Sequence, residues 1–234
     1  MVSGTFHSSR RGVEVGWTVS YPPGRHPGDG TPLCLVLHGY AADHTTAFTQ
    51  LALQDPQRAA ALGHPPKPIV LAAANGGNGY WHPRSNGDDP QGMLVHEFLP
   101  LLAALGLPTG QVVVLGWSMG GYGALLLAET YPGLIARVAA ESPAIWPSDA
   151  ASRNANPDAF DSPADWAAHD VVGHLPALGT TPVRIDCGLS DPFLPASREL
   201  AVLLGPGRVV LGPGGHDPAF WQSRAPAQLD FLTA

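Results

Sequence analysis

The chain has 234 residues, 44% of them hydrophobic, which suffices for one large core, and a net charge of -7 with Lys67 as its only lysine. Neutralising phosphates takes a basic face, and beyond Arg10-Arg11 there is no basic cluster, so nucleic acid is not an expected partner. No apolar run approaches a membrane span, the N-terminal stretch lacks an apolar signal core, and Arg10-Arg11 leads into Glu14 and Pro22-Pro23 rather than a twin-arginine signal, so a cytoplasmic protein is expected.

Residues 5–8 and 13–21 alternate and carry β-formers (Val13, Val15, Trp17, Val19, Tyr21), which predicts an antiparallel pair at a sheet edge. The Pro- and Gly-rich stretch 22–32 is a connecting loop. Leu33 to Leu37 is a continuous apolar run, the mark of a strand buried on both faces, and it ends at His38-Gly39-Tyr40. A helix-capable stretch from about Asp43 to Leu62 follows, then a buried strand from Ile69 to Ala73 and a long polar loop, 75–91. Met93, Leu94, Phe98, Leu101 and Leu102 recur at helical spacing and predict a helix over about 91–105. Val112 to Leu115 is a strand that stops at Gly116, and an Ala/Leu-rich helical pattern begins just beyond Ser118.

Ala136 to Glu141 is a further strand closed by Ser142-Pro143. From 144 to 178 the composition turns to Asp, Asn, Ser, Pro and Trp, read as a short inserted cap and not a second domain, so 1–234 forms one unit. The sheet resumes at Val183 to Cys187, a helix over about 196–204 precedes a strand from Arg208 to Leu211, and a glycine-rich loop carrying His216 leads to a terminal helix. Strands alternating with helices give a mostly parallel sheet flanked on both faces. Eight strands with the first two antiparallel is the count of an α/β-hydrolase fold. Cys34 and Cys187 fall inside core strands and are expected to be buried free thiols.

The chemistry centres on Gly116-Trp117-Ser118-Met119-Gly120. Strand, tight turn and helix in that order are the context of a nucleophile elbow, in which small residues two before and two after the serine relieve crowding. A serine hydroxyl needs an adjacent base oriented by a carboxylate, in the chain order Ser, acid, His. After Ser118 only His169, His174 and His216 remain; the first two lie in or beside the cap, so His216 is the expected base. Asp191, in the loop after the strand at 183–187, is the expected acid; Asp186 lies inside the strand and Asp217 adjoins the histidine. The expected oxyanion donors are the backbone N–H groups of Met119 and Tyr40. His38 is expected to shape its turn through backbone hydrogen bonds. Gly76-Gly77-Asn78-Gly79 lacks the lysine of a phosphate loop and is read as a flexible pocket rim. His82, Asp88, Asp89 and His96 have no metal-ligand spacing, and neither metal nor cofactor is expected. Trp117, Trp146 and Trp221 are candidate substrate-binding residues; Trp81, Trp146, Trp166 and Trp221 are candidates to line an apolar acyl pocket, with core packing the alternative for each.

The segments LVLHGY, HEFLPLL, GWSMGGYGALLLAETYP, VAAESPA and GGHDPAFW resemble the putative-esterase group of α/β-hydrolases, which includes esterase D (S-formylglutathione hydrolase) and the mycolyltransferase antigens. The resemblance spans most of residues 33–234. It implies ester chemistry with Ser118, Asp191 and His216 as the triad and Met119 and Tyr40 at the oxyanion hole. The turn HGYAAD lacks the second glycine common in related turns, and the cap is short for esterase D. A small-molecule carboxylic ester or thioester is the expected substrate, cleaved through an acyl-enzyme. Two alternatives remain: an acyltransferase passing the acyl group to a sugar or lipid hydroxyl, and a non-enzymatic binding protein of the same fold. Oligomeric state is not legible in the sequence.

Overall fold

Eight strands form one twisted sheet in the order β1-β2-β4-β3-β5-β6-β7-β8. They are β1 (Val2–Ser8), β2 (Val13–Ser20), β3 (Leu33–Leu37), β4 (Val70–Ala74), β5 (Val112–Trp117), β6 (Ile135–Glu141), β7 (Val183–Gly188) and β8 (Val209–Gly212) in a computed structural model that describes residues 1–61 and 66–234. The β1–β2 hairpin and its seam with β4 are antiparallel; every other pairing is parallel. The expected hairpin at a sheet edge and the buried parallel strands are both present. All residues of β3, β4 and β5 are buried, as a sheet covered on both faces requires. From β3 the chain steps to β4 on one side and then crosses to β5 on the other. The carboxyl ends of β3 and β5 therefore flank the point where strand order reverses, which is where open α/β sheets place ligands.

The expected helix over 43–62 is two shorter ones, α1 (Thr46–Thr49) and α2 (Gln54–Ala61), with the chain turning between them at Ala52, whose φ is 51°. Leu62, the end of that expectation, lies outside the described residues. The helix expected over 91–105 is α3 (Pro90–Met93), a π-helical turn (Leu94–Phe98) and α4 (Leu99–Ala104). Pro100 carries no N–H to continue the α-helical ladder, and the wide turn ahead of it, with Leu99 N–H reaching back to Leu94 O, absorbs the break. Glu97 in that turn accepts from Ser9 N–H at 2.9 Å and from the Ser8 hydroxyl, fastening the hairpin. The Arg10-Arg11 pair has a structural use: Arg10 meets Asp89 at 3.1 Å, and Arg11 forks onto Asp88 at 2.7 and 3.0 Å.

The remaining helices are α5 (Met119–Thr130), α6 (Asp149–Ala155), α7 (Pro163–Ala168), α8 (Leu194–Leu204) and α9 (Pro218–Leu232). One core cluster packs α5 and the 144–178 segment on one face of the sheet; the other packs α1 and α9 on the opposite face. The segment between β6 and β7 holds α6, α7 and a 3-10 turn (Leu175–Leu178). Cys34 and Cys187 are buried free thiols, and burial pushes Cys187 up to about 11. Among the described residues no helix is long and apolar enough to cross a membrane.

Candidate active site

Steric crowding builds the turn between β5 and α5. Ser118 sits at φ 55°, ψ -119°, a conformation that L-residues rarely adopt. A Cβ at Gly116 would lie 2.0 Å from the Gly120 carbonyl oxygen, and one at Gly120 would lie 2.0 Å from that of Leu37. Only glycine fits at either place. The strained serine is held from both sides: its N–H donates to Glu141 O at 2.8 Å, and its carbonyl accepts from Tyr122 and Ala144 N–H at 3.1 and 3.0 Å. Residues Met119 to Glu129 of α5 are all buried, so tertiary packing rather than a local cap fixes the helix.

The structure brings Ser118, His216 and Asp191 into one chain of contacts. Ser118 Oγ lies 2.8 Å from His216 Nε2, and His216 Nδ1 lies 2.9 Å from Asp191 Oδ2. With Nδ1–H donated to the carboxylate, Nε2 presents its lone pair to the serine hydroxyl. Burial pushes the Asp191 carboxyl up, but hydrogen bonds from His216, Phe193 N–H and Ser142 outweigh it and hold it below its ordinary value. Glu141, at the end of the neighbouring strand, behaves in the opposite way. Full burial and the adjacent Asp186 carboxylate push it well above the carboxylate range, and its Oε1 has no hydrogen-bond partner. A carboxyl pushed toward its neutral form is a poor orienter of an imidazolium.

The turn after β3 is pinned by side chains. His38 Nδ1–H donates to Gly39 O at 2.8 Å, and its Nε2 accepts from Gly76 N–H at 2.9 Å. Burial lowers His38 to about 4, so it stays neutral, as these two contacts need. Ala41 N–H donates to Asn78 Oδ1 at 2.8 Å. Among the described residues, neither Tyr40 N–H nor Met119 N–H donates to another protein group. The glycine run at 76–79, expected as a flexible rim, supports the turn through Gly76 and Asn78, and Gly76 packs against the Trp81 ring so closely that a Cβ there would lie 2.3 Å from it.

A cleft of ≈ 400 Å³ opens over Ser118 and His216, lined by Tyr40, Thr46, Gln50, Trp117 and Trp221 among others. Trp117 and Trp221 therefore both line the cleft that holds Ser118 and His216. Trp146 does not line this cleft: it packs against Phe193 at 5.6 Å between ring centroids, and Phe193 against His216 at 5.2 Å. Trp81 is fully buried with its Nε1–H donated to His38 O at 3.2 Å, and Trp166 packs in the cap, so neither is a cleft wall. The alternation and aromatic content of the sequence could not tell which face each indole takes.

Ser142 was legible only as the end of a strand. Its φ is 45°, unusual outside glycine, and its hydroxyl accepts from Trp221 Nε1–H at 3.2 Å while lying against Asp191. A polar residue directly after a strand whose neighbour carries the nucleophile is the signal that could have flagged it.

The family model described as "Putative esterase" matches residues 8–224. The chain belongs to this esterase family. It is an α/β-hydrolase of carboxylesterase type. A ferulic acid esterase structure superposes with TM-score 0.81 at 20% identity, covering 99% of this chain and 96% of that one. FphF, a fluorophosphonate-binding serine hydrolase of Staphylococcus aureus, gives 0.79 at 19%, covering 100% and 98%. An S-formylglutathione hydrolase from Agrobacterium tumefaciens gives 0.78 at 18%, covering 99% and 93%. At these identities the likeness is one of fold. No curated protein matches this esterase by sequence.

Proposed function

We propose that this esterase cleaves carboxylic esters and thioesters through an acyl-enzyme on Ser118. The observation that carries the reading is the unbroken line Ser118 Oγ, His216, Asp191, with contacts of 2.8 and 2.9 Å at the carboxyl end of β5. In the first step His216 Nε2 takes the hydroxyl proton as Oγ attacks the carbonyl carbon, and the oxygen becomes an oxyanion. Met119 N–H, at the start of α5, and Tyr40 N–H receive that charge in a site where preorganised donors act with little reorganisation. The imidazolium then gives its proton to the departing alcohol or thiol. Water repeats the cycle on the acyl-enzyme. Asp191 keeps the imidazole in the needed tautomer and stabilises its cationic form.

The cleft supports a modest, apolar or aromatic group beside Trp117, Trp221 and Tyr40, with Thr46 and Gln50 offering polar contacts in its lining. The solved relatives named for ferulic acid and for S-formylglutathione span an aromatic acyl ester and a small thioester. The test is a panel of acyl esters of graded size, with and without alcohol acceptors, read by product analysis on the wild type and on Ser118→Ala. Free acid as the main product, a burst of leaving group and a fluorophosphonate adduct on Ser118 alone are expected. Transfer to the alcohol as the dominant product makes the protein an acyltransferase, and near-normal turnover by Ser118→Ala removes the serine from the chemistry.

A further inference from the structure

Away from the triad, the loop after β4 and the cap helix α7 bring three metal-capable side chains together. His82 Nδ1 lies 3.7 Å from Asp165 Oδ1, and His169 Nδ1 lies 3.0 Å from the same oxygen. The three donor atoms all fall within 4.8 Å of one another. Asp165 and His169 are four residues apart, so one helical turn presents both on the same side, toward the buried His82.

The hydrogen bonding around His82 gives the cluster its character. Its Nε2 lies 3.1 Å from Ala159 O, a contact that needs the proton on Nε2. Nδ1 then carries a lone pair, yet the group facing it at 3.0 Å is another acceptor, the Pro83 carbonyl. His82 Nδ1 thus turns its lone pair toward two acceptors, Pro83 O at 3.0 Å and Asp165 Oδ1 at 3.7 Å. His169 Nδ1 adds a fourth donor once it gives up the proton it shares with Asp165 O, 2.9 Å away. A tetrahedral ion with bonds of about 2.0–2.2 Å spaces its ligands about 3.4 Å apart. The 3.0 and 3.7 Å separations to Asp165 bracket that value.

We propose that His82, Asp165 and His169, with the Pro83 carbonyl, form a binding site for one divalent transition ion of the zinc type. Two imidazoles with two oxygens suit zinc better than magnesium or calcium, which take all-oxygen sets. Ala159 O supplies the outer contact that fixes the His82 tautomer, as the partners of metal-bound histidines commonly do. The ion ties the cap to the loop that carries Tyr80 and Trp81. His82 stacks on Phe160 at 5.2 Å, Phe160 meets Trp146 at 6.3 Å, and Trp146 leads through Phe193 to His216. The site therefore braces the wall behind the catalytic base without taking part in ester cleavage, and it stands whatever the role of Ser118.

The test is calorimetric titration of Zn²⁺ into chelator-treated full-length protein, paired with melting curves in Zn²⁺ or Mg²⁺. One equivalent is expected to bind in the micromolar range or tighter, with proton release, and Zn²⁺ but not Mg²⁺ raises Tm. His169→Ala and Asp165→Asn, both at partly exposed positions, each weaken binding at least about tenfold and abolish the Tm rise. His216→Ala, which removes the competing imidazole of the triad, leaves both intact. Absence of saturable Zn²⁺ binding overturns the proposal, as does binding that survives both cap variants or vanishes in His216→Ala.

Discussion

His38 Nδ1–H donates to the carbonyl oxygen of Gly39 across 2.8 Å, and this contact sets where the Tyr40 N–H points. The two groups belong to one planar, trans peptide unit, so holding the oxygen on one side turns the N–H to the other. Gly39 and Tyr40 both line the cleft over Ser118.

If the Tyr40 peptide is an oxyanion donor, His38 acts on the rate without touching substrate. His38→Ala is expected to lower kcat by about tenfold to a hundredfold, short of or equal to the loss of one whole donor. KM for a small ester should change little. Tyr40→Phe should stay within a few-fold of wild type, because the side chain is half exposed and the donor is the backbone. Steady-state kinetics on both variants, with circular dichroism to check folding, decide the matter; a crippled Tyr40→Phe transfers the donor role to the phenol.

Asp191→Asn should reduce kcat by about four orders of magnitude, because the amide favours the wrong imidazole tautomer. Glu141→Gln should retain most activity, since burial and the adjacent Asp186 carboxylate push Glu141 toward its neutral form. The reverse ranking moves the acid to β6. The Asp191 carboxyl is held below its ordinary value, so the stability it contributes is complete above the usual carboxylate range and is lost as pH falls through the lowered value. Acid-induced unfolding of Asp191→Asn, followed by fluorescence, should lack that part of the slope.

Ser142→Ala removes the acceptor of Trp221 Nε1–H and one support of Asp191. A net loss of about one hydrogen bond predicts a roughly tenfold fall in kcat/KM, shared between the orientation of the acid and the position of the indole wall. Ser142→Thr, which keeps the hydroxyl, should recover part of it. Equal kinetics for Ser142→Ala and wild type would confine this residue to strand termination.

Glu129 on α5 is buried near Asp170, and neither of its carboxylate oxygens has a hydrogen-bond partner. Burial, then the Asp170 charge, raises it to about 8. Between its ordinary value and about 8 the folded state binds more protons than the unfolded chain, so stability falls as pH rises through that window and levels off above it. Glu129→Gln should flatten this decline and raise Tm by several degrees at pH 9, with little change at pH 4. A parallel pH profile for the two proteins would show that the carboxyl is ionised in the fold at no cost.

Short-range features of the sequence carried much of this site. Val112 to Leu115, Gly116 and Gly120 specify strand, turn and helix because each rests on local sterics, and the 2.0 Å clashes that a Cβ would make show how little freedom those glycines leave. Asp191 and His216 were accessible through chain order and strand ends. The π turn before Pro100 and the break at Ala52 were not, since both answer to packing against distant residues rather than to periodicity. Nor could the indoles be sorted: Trp81 and Trp221 are alike in sequence terms, yet one is core and the other wall. His82, Asp165 and His169 escaped any motif because a loop and a distant cap helix meet only in three dimensions.

Arg84 binds the main-chain oxygens of Ala159 and Asp158 and the Asp161 carboxylate at 2.6 to 3.0 Å, and Tyr122 Oη–H reaches His169 O at 2.8 Å. The segment these contacts hold is absent from the lining of the cleft over Ser118. Among the described residues no part of this segment covers the cleft, so under the proposed function substrate is expected to reach Ser118 without moving it. The rate on a sparingly soluble ester should saturate with dissolved monomer and show no jump when the ester begins to form droplets, which separates this enzyme in behaviour from lipases that wake at an oil surface.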